Sequence, residues 1–251
     1  GERSSNPDIY KSLKLKFYRW FHFFTDYVVA NSHTNIKMVR KINPLIKTSK
    51  CKVIYNLIDE VFWTTKEPVS QKSNKFHLVV VASHQYLKNA KGLIEALNIL
   101  PEKDKKILNV SWYGRQGEDS SFDEALRLSN QYNLNNIISF TKETNQIKLI
   151  MQDANALGLF SFYEGLPNVI CEAMTLGRPV VSSNVSDIPL FIDKDFTFNP
   201  TDVLEIKNIL SKLINLPSDM LSDLGKKNRN VALMNFNKEK IISNYLKLMK
   251  K

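Results

Sequence analysis

The sequence predicts an α/β fold in which a parallel β-sheet is covered by helices on both faces. Short apolar runs alternate along the chain with segments of helical periodicity, and this alternation is typical of a parallel sheet with crossover helices. The composition is that of a globular protein, with 43% hydrophobic and 24% charged residues. The 251 residues suffice for one large domain or two modest ones.

Composition also excludes several classes of protein. Cys51 and Cys171 are too few for a disulfide framework, and the four histidines show no metal-ligand spacing, so we expect no metal. The longest apolar runs, such as 78–82, fall far short of the ~20 residues that span a bilayer, and no secretory signal precedes them. The net charge of +10 fits an anionic ligand or membrane surface, and no nucleic-acid-binding motif accompanies it.

The N-terminal part predicts a short series of elements before a polar segment. A helix at 9–24 is followed by a strand (26–32), a helix (33–42) and a strand (51–56). The apolar stripe of the first helix comprises Ile9, Leu13, Phe17, Trp20 and Phe24. We expect this stripe to pack into the protein core, and a basic aromatic helix lying on a membrane is the alternative. The segment 57–75 contains Pro68, has no period and is the best linker candidate.

The remainder of the chain predicts five strands, with helices between them. The strands are predicted at 76–82, 107–114, 136–140, 155–160 and 178–183. The intervening helices are predicted at 89–100, 119–133 and 144–153 and after Pro167, and three more close the chain from about 201 to 250. Ligands of such sheets bind at the carboxyl ends of the strands, so the loops after these strands are where a site is expected.

One of those loops carries the stretch SFYEGLPNVICEAMTLG, residues 161–177. Pro167 suits the first turn of a helix, and Gly165 allows a ligand to approach the backbone closely. The amides near Asn168, Val169 and Ile170 would then be unpaired helix donors, which form a natural phosphate site.

Two glutamates, Glu164 and Glu172, bracket this phosphate site. Each alone is more often a solvated surface residue, but a carboxylate can accept two hydrogen bonds from a vicinal diol. A phosphate site flanked by two diol acceptors predicts a nucleotide-sugar site. Glycoside hydrolysis also uses two carboxylates, and sequence spacing does not exclude it.

The stretch SFYEGLPNVICEAMTLGRPVVSSNVSDIP closely resembles the nucleotide-sugar signature of family 4 retaining glycosyltransferases, whose two glutamates are separated by seven residues. The residues in register with that signature are Gly165, Pro167, Ala173, Gly177, Pro179 and Val180. The segments DYVVANS, KVIYNLID, VVVASHQYLKNAKGLIEAL and NVSWYGRQG resemble further parts of the family, so the likeness covers 26–251.

The resemblance implies two Rossmann-like domains facing a cleft. Residues 1–56 would be a remnant of the N-terminal acceptor domain, 57–75 a linker and 76–251 the donor-binding domain, with the last helix packing back on the N-terminal part. Only 25 residues precede Asp26, so we expect a truncated enzyme that binds its donor but transfers sugar poorly.

The resemblance also assigns roles to individual residues. Lys88 would contact the diphosphate, with Lys91 an exposed helix lysine. Ser83 stands where many members have an arginine, and His84 would have to replace that charge. Glu164 would contact hydroxyls of the transferred sugar, and Glu172 would bind the ribose diol. The remaining expected donor contacts are Gly165, Leu166, Pro167, Asn168 and Val169 for sugar and phosphate, and Phe140, Thr141 and Lys142 for the base.

The implied activity is transfer of a hexose from a nucleotide diphosphate sugar to a glycan or lipid-linked acceptor in bacterial surface polysaccharide synthesis, such as capsule or O-antigen. We expect a uridine diphosphate donor, with guanosine diphosphate mannose as the alternative, and no cofactor. The protein would be cytoplasmic and in peripheral contact with the anionic inner face of the cytoplasmic membrane. The alternatives are a nucleotide-sugar epimerase and a non-catalytic basic protein that binds membrane or nucleic acid.

Overall fold

A computed structural model describes residues 2, 11–64 and 75–250. The helices are α1 (Leu13–Trp20), α2 (His33–Ile42), α3 (Ala90–Asn98), α4 (Glu102–Ile107), α5 (Ser121–Gln131), α6 (Ile147–Asp153), α7 (Asn168–Thr175), α8 (Val203–Ile214), α9 (Ser218–Phe236) and α10 (Lys238–Met249). The strands are β1 (Val28–Ala30), β2 (Cys51–Val53), β3 (Phe76–Val81), β4 (Leu108–Tyr113), β5 (Ile138–Thr141), β6 (Ala156–Leu159), β7 (Val180–Ser183) and β8 (Thr197–Phe198).

The main sheet has six strands, all parallel, in the order β5-β4-β3-β6-β7-β8. Numbered from β3, this is the 3-2-1-4-5-6 order of Rossmann domains. The chain therefore reverses direction across the sheet between β3 and β6, which is where such sheets bind ligands. The predicted fold class is confirmed.

Helices cover the sheet on both faces because the strands are apolar on both sides. Leu78 and Val80 of β3 pack into one layer with α3, α5 and α8. Val79, between them, packs into the opposite layer with α6, α7 and α9. This alternation follows from the period of two in a strand.

A smaller unit precedes the main sheet. β1 and β2 pair in parallel, and α2 covers them through a cluster of Val28, Val39 and Ile46. The chain that follows β2 packs onto the main unit, since Ile58 is buried in the layer of α7 and its amide donates to the carbonyl of Phe236 at 3.0 Å. Tyr245 of α10 lines a cavity that also touches β1.

The first helix departs from expectation. α1 is shorter than predicted, and none of its residues is buried; Leu13 is 81% exposed and Phe24, in the turn that follows, 80%. The prediction that this stripe packs into the core is therefore wrong for its described members. Periodicity specifies a helix with an apolar face, but it does not specify what that face meets.

Other differences are small. The strands predicted between 76 and 183 are all present within two residues of their bounds. The elements α4 and β8 were not predicted, because five of the six residues of α4 are charged and β8 has only two residues, so neither gives a periodic signal. Ile9, Pro68 and most of the predicted linker lie outside the described residues. In the described part of the chain, no helix is both long and apolar enough to cross a bilayer.

Candidate active site

The candidate site lies at the carboxyl ends of β3 and β6, in the loops 82–89 and 160–167, which we call the crossover edge. The two loops are joined directly, because the amide of Phe162 donates to the carbonyl of Leu87 at 2.9 Å. The rings of Tyr86 and Phe162 lie 5.2 Å apart. This is the edge of the sheet at which the sequence predicts a site.

Lys88 and Glu164 meet across the crossover edge. The Lys88 Nζ lies 2.5 Å from Glu164 Oε1, and the side chains are only 19% and 13% exposed. The turn Tyr86–Lys88 ends at Asn89, whose φ of 58° is left-handed. Asparagine tolerates this conformation better than most residues, and its side chain also accepts from the amide of Gly92 at 3.0 Å. Asn89 therefore fixes the position of Lys88 and begins α3.

The amino end of α7 points at the same edge. Pro167 is the N-cap and makes no side-chain capping bond, so it lies one residue before the first helical turn in which the sequence placed it. Because proline has no side-chain acceptor, the first amides of α7, from Asn168 and Val169, remain available as donors. Gly165 and Leu166 lie buried in the preceding loop.

Glu172 lies about one turn into α7 and is half-buried. Burial raises the pKa of its carboxyl from 4.5 to about 7. Among the described side chains, none donates a hydrogen bond to it or forms an ion pair with it. A desolvated carboxylate without a partner is a favourable acceptor for hydroxyl donors.

The sequence did not predict the role of Asn56. Its Nδ2 group donates to the carbonyl of Leu166 at 2.6 Å and to Oδ1 of Asn168 at 2.6 Å. Asn56 follows β2, 110 positions before Leu166 in the chain. A contact of this separation leaves no periodic signal, so only the folded chain reveals it.

Ser83 lies beside a neighbouring cavity of about 250 Å³. The residues that line it come from the ends of β3, β4 and β5 and from α6, and they are Val81, Ala82, Ser83, Tyr113, Gly114, Arg115, Glu143, Thr144 and Ile147. Arg115 was not singled out in the sequence, although it stands in the quoted segment NVSWYGRQG. Arg115 and Ser83 thus line the same cavity, and Ser83 is the position at which the family pattern has an arginine.

His84 does not supply that charge. It is 4% exposed and its ring lies 4.7 Å from that of Phe122 and 5.7 Å from that of Phe140. Burial lowers the pKa of His84, and hydrogen bonds to the backbone of Thr141 and Gly114 offset this only in part. The idea that a charged His84 replaces the arginine is therefore wrong.

The residues expected to contact the base, Phe140, Thr141 and Lys142, lie at the end of β5 and directly after it. Phe140 packs with Trp112, Phe122 and His84, so its ring belongs to the apolar layer. Thr141 ends β5, and Lys142 follows it with its side chain exposed. Glu143 and Thr144, the next residues, line the cavity instead. Within the described ranges, no three His, Cys, Asp or Glu side chains gather as a metal site.

Solved structures with this fold include HepE from Anabaena in complex with UDP and glucose, at a TM-score of 0.84 and 20% identity, which matches 95% of this chain and 67% of that one. A TarM variant from Staphylococcus aureus in complex with fondaparinux, α-GlcNAc-glycerol and UDP has a TM-score of 0.80 and 17% identity, over 99% of this chain and 50% of that one. At these identities the likeness establishes the fold alone.

Two curated relatives match in sequence. An uncharacterized glycosyltransferase of Methanocaldococcus jannaschii is 23% identical over 196 residues, 74% of this chain and 46% of the relative. The putative colanic acid biosynthesis glycosyltransferase WcaL of Escherichia coli K12 is 26% identical over 186 residues, 69% of this chain and 45% of the relative. The chain thus spans less than half the length of either relative. The profile of the family described as "Glycosyl transferases group 1" matches residues 61–231, more than half of the chain, and the chain belongs to that family.

Proposed function

We propose that the chain forms the donor site of a retaining glycosyltransferase that moves a hexose from a nucleotide diphosphate sugar, with UDP as the nucleotide, to a glycan or lipid-linked acceptor. The observation that carries this proposal is the Lys88–Glu164 pair at 2.5 Å beside the uncapped amino end of α7. A cation, helix amides and a carboxylate converge where the sheet reverses.

Each group has a defined task in the transfer. The Lys88 ammonium and the first amides of α7 stabilise negative charge on the diphosphate as the glycosidic bond breaks. Glu164 accepts hydrogen bonds from hydroxyls of the transferred hexose, and Glu172 accepts from the ribose diol. The cavity beside Ser83 and Arg115 takes the base.

Retention follows if the acceptor hydroxyl attacks from the face that the diphosphate leaves. This route needs no protein nucleophile, and we assign none. Lys88 and the helix amides act on the leaving diphosphate, so the chemistry requires no metal ion. Glu164, held by Lys88, serves as a hydrogen-bond acceptor for the sugar in this scheme.

Surface polysaccharide synthesis is the proposed setting. WcaL is described as a colanic acid biosynthesis glycosyltransferase, and a further structural neighbour is a lipopolysaccharide outer core galactosyltransferase, WaaB. HepE was solved with UDP and glucose, which supports UDP as the first nucleotide to test. Family membership favours transfer over the epimerase and the non-catalytic alternatives.

The test is calorimetric titration of the chain with UDP, GDP and ADP, with Glu172→Ala as the variant and Glu239→Ala as the control. Glu239 lies exposed on α10. We expect one nucleotide to bind, Glu172→Ala to lose at least about tenfold in affinity, and the control to match the parent chain. Binding of none of the three would contradict the proposal.

We also propose peripheral contact with an anionic membrane through α1 and the turn that follows it. This segment exposes aromatic rings at Phe17, Trp20 and Phe24 and carries lysines at positions 14 and 16, as membrane-surface helices do. Phe17→Ser with Phe24→Ser should reduce sedimentation with phosphatidylglycerol vesicles. The control, Leu204→Ser with Met220→Ser, removes exposed apolar residues elsewhere. Equal sedimentation of both double variants would contradict the contact.

A further inference from the structure

We propose that Asn56 is a positioning residue that sets the conformation of the Gly165–Asn168 turn and aims the side-chain amide of Asn168 at the hexose diphosphate end of the donor. This inference rests on the proposed function and adds to it a residue from outside the main sheet. No sequence motif places Asn56 near the donor.

The orientation of Asn56 is fixed by chemistry. A backbone carbonyl can only accept, so the group that contacts Leu166 O at 2.6 Å must be the Asn56 NH₂. Its second hydrogen serves Oδ1 of Asn168, also at 2.6 Å. The two hydrogens of this one amide therefore bind the residues on either side of Pro167, which has no N–H group of its own to donate.

The position of Asn56 is set from the small unit. Asn31 Nδ2 donates to Asn56 Oδ1 at 3.4 Å, a long bond, and Asn35 Nδ2 donates to Asn31 Oδ1 at 2.9 Å. Asn31 and Asn35 are buried, at the end of β1 and in α2. Three asparagines thus connect the small unit to the turn that precedes α7.

These bonds determine which end of the Asn168 side-chain amide is available to a ligand. Its Oδ1 is occupied by Asn56, so its NH₂ group is the end that remains available, and the residue is exposed at the start of α7. An NH₂ donor next to the free helix amides suits a sugar hydroxyl or a phosphate oxygen. If Asn56 did not occupy Oδ1, the amide of Asn168 could turn and present an acceptor to an anion.

The substitution Asn56→Asp changes hydrogen bonding and leaves the size of the side chain almost unchanged. The carboxylate would face Leu166 O and Asn168 Oδ1, two acceptors, so the turn must move or the Asn168 amide must reverse. We expect affinity for UDP-glucose to fall at least about tenfold, with affinity for UMP unchanged within about threefold. A general loss of folding would lower both affinities alike.

Asn184→Asp is the matched control for charge. Asn184 follows β7 at the same edge of the sheet and is exposed. Among the described residues, no hydrogen bond joins its side chain to the Gly165–Asn168 turn. The substitution Asn184→Asp introduces the same negative charge as Asn56→Asp, and its affinity for UDP-glucose should stay within about threefold of the parent value. If both variants lose affinity equally, charge alone explains the effect and the positioning role is wrong.

Hydrogen exchange of the full chain without nucleotide provides a readout that does not depend on the proposed function. Asn56→Asp should speed exchange in peptides that cover 161–170 and leave β3 and β4 unchanged. If the parent chain binds neither UDP-glucose nor UMP, the proposed function fails while this measurement still decides the positioning role. Unchanged exchange in 161–170, or equal losses for UDP-glucose and UMP, would overturn the inference.

Discussion

Glu164 and Glu172 lie eight positions apart in one motif, yet they stand in opposite electrostatic surroundings. Glu164 is paired with Lys88 at 2.5 Å. Glu172 has no charged or hydrogen-bonded side-chain partner among the described residues, and burial raises its pKa to about 7. Two identical residues of one signature therefore differ in their surroundings, since one has a lysine partner and the other is desolvated without one.

The largest expected effect concerns the free energy of unfolding. The pKa of Glu172 is raised by folding, so below 4.5 its carboxyl is neutral in both states, and the folded state is increasingly penalised as pH rises from 4.5 to about 7. Glu172→Gln removes that penalty. Denaturant unfolding at pH 8 should show a gain of up to about 3 kcal/mol, and at pH 4 almost none.

The control for this experiment is Glu239→Gln, which replaces an exposed carboxyl of α10. It should leave the free energy of unfolding within about 0.5 kcal/mol at either pH. A Glu172→Gln chain that gains nothing at pH 8 would mean that the carboxyl is better solvated than its surroundings indicate, and the contrast with Glu164 would disappear.

The next effect tests the paired member of the comparison. Lys88→Ala should lower affinity for UDP about 10- to 100-fold, since a charge-assisted hydrogen bond to phosphate is lost. Lys91→Ala is the control, because Lys91 is exposed and pairs with Glu124 at 3.1 Å on the surface of α3. Titration of both variants compares two lysines three positions apart, and equal losses would remove the distinction between them.

The smallest effect is a pH dependence of donor binding. In the proposed site a ribose diol donates to the ionised form of Glu172, so affinity should rise with pH as that carboxyl loses its proton around pH 7. Between pH 6 and 8 the gain is at most about tenfold. UDP-glucose is the right ligand, because its diphosphate carries no proton that titrates in this range, and Glu172→Gln should abolish the slope.

The predictability of the fold and of the site differs for physical reasons. Alternating apolar strands and amphipathic helices encode the sheet, so the strands from β3 to β7 were found. Lys88 and Glu164 were placed by motif and meet in the structure. Asn56 was missed because long-range hydrogen bonds have no local signal, and Arg115 because its place in the cavity with Ser83 depends on the pairing of β3 with β4. The side on which the Phe140 ring packs could not be predicted either, because a strand residue can face either side of its sheet.

The contacts of the segment after β2 bear on how such enzymes can be recombined. Polarity suggests joining domains of different origin within 57–75. Yet Asn56 bonds to the turn before α7, and Ile58 packs beneath that helix. A chimera spliced there would pair the unit that contains the main sheet with a foreign residue at position 56. The splice junction that keeps these contacts of Asn56 and Ile58 lies upstream, before Asn56, although nothing in the composition of the sequence marks it.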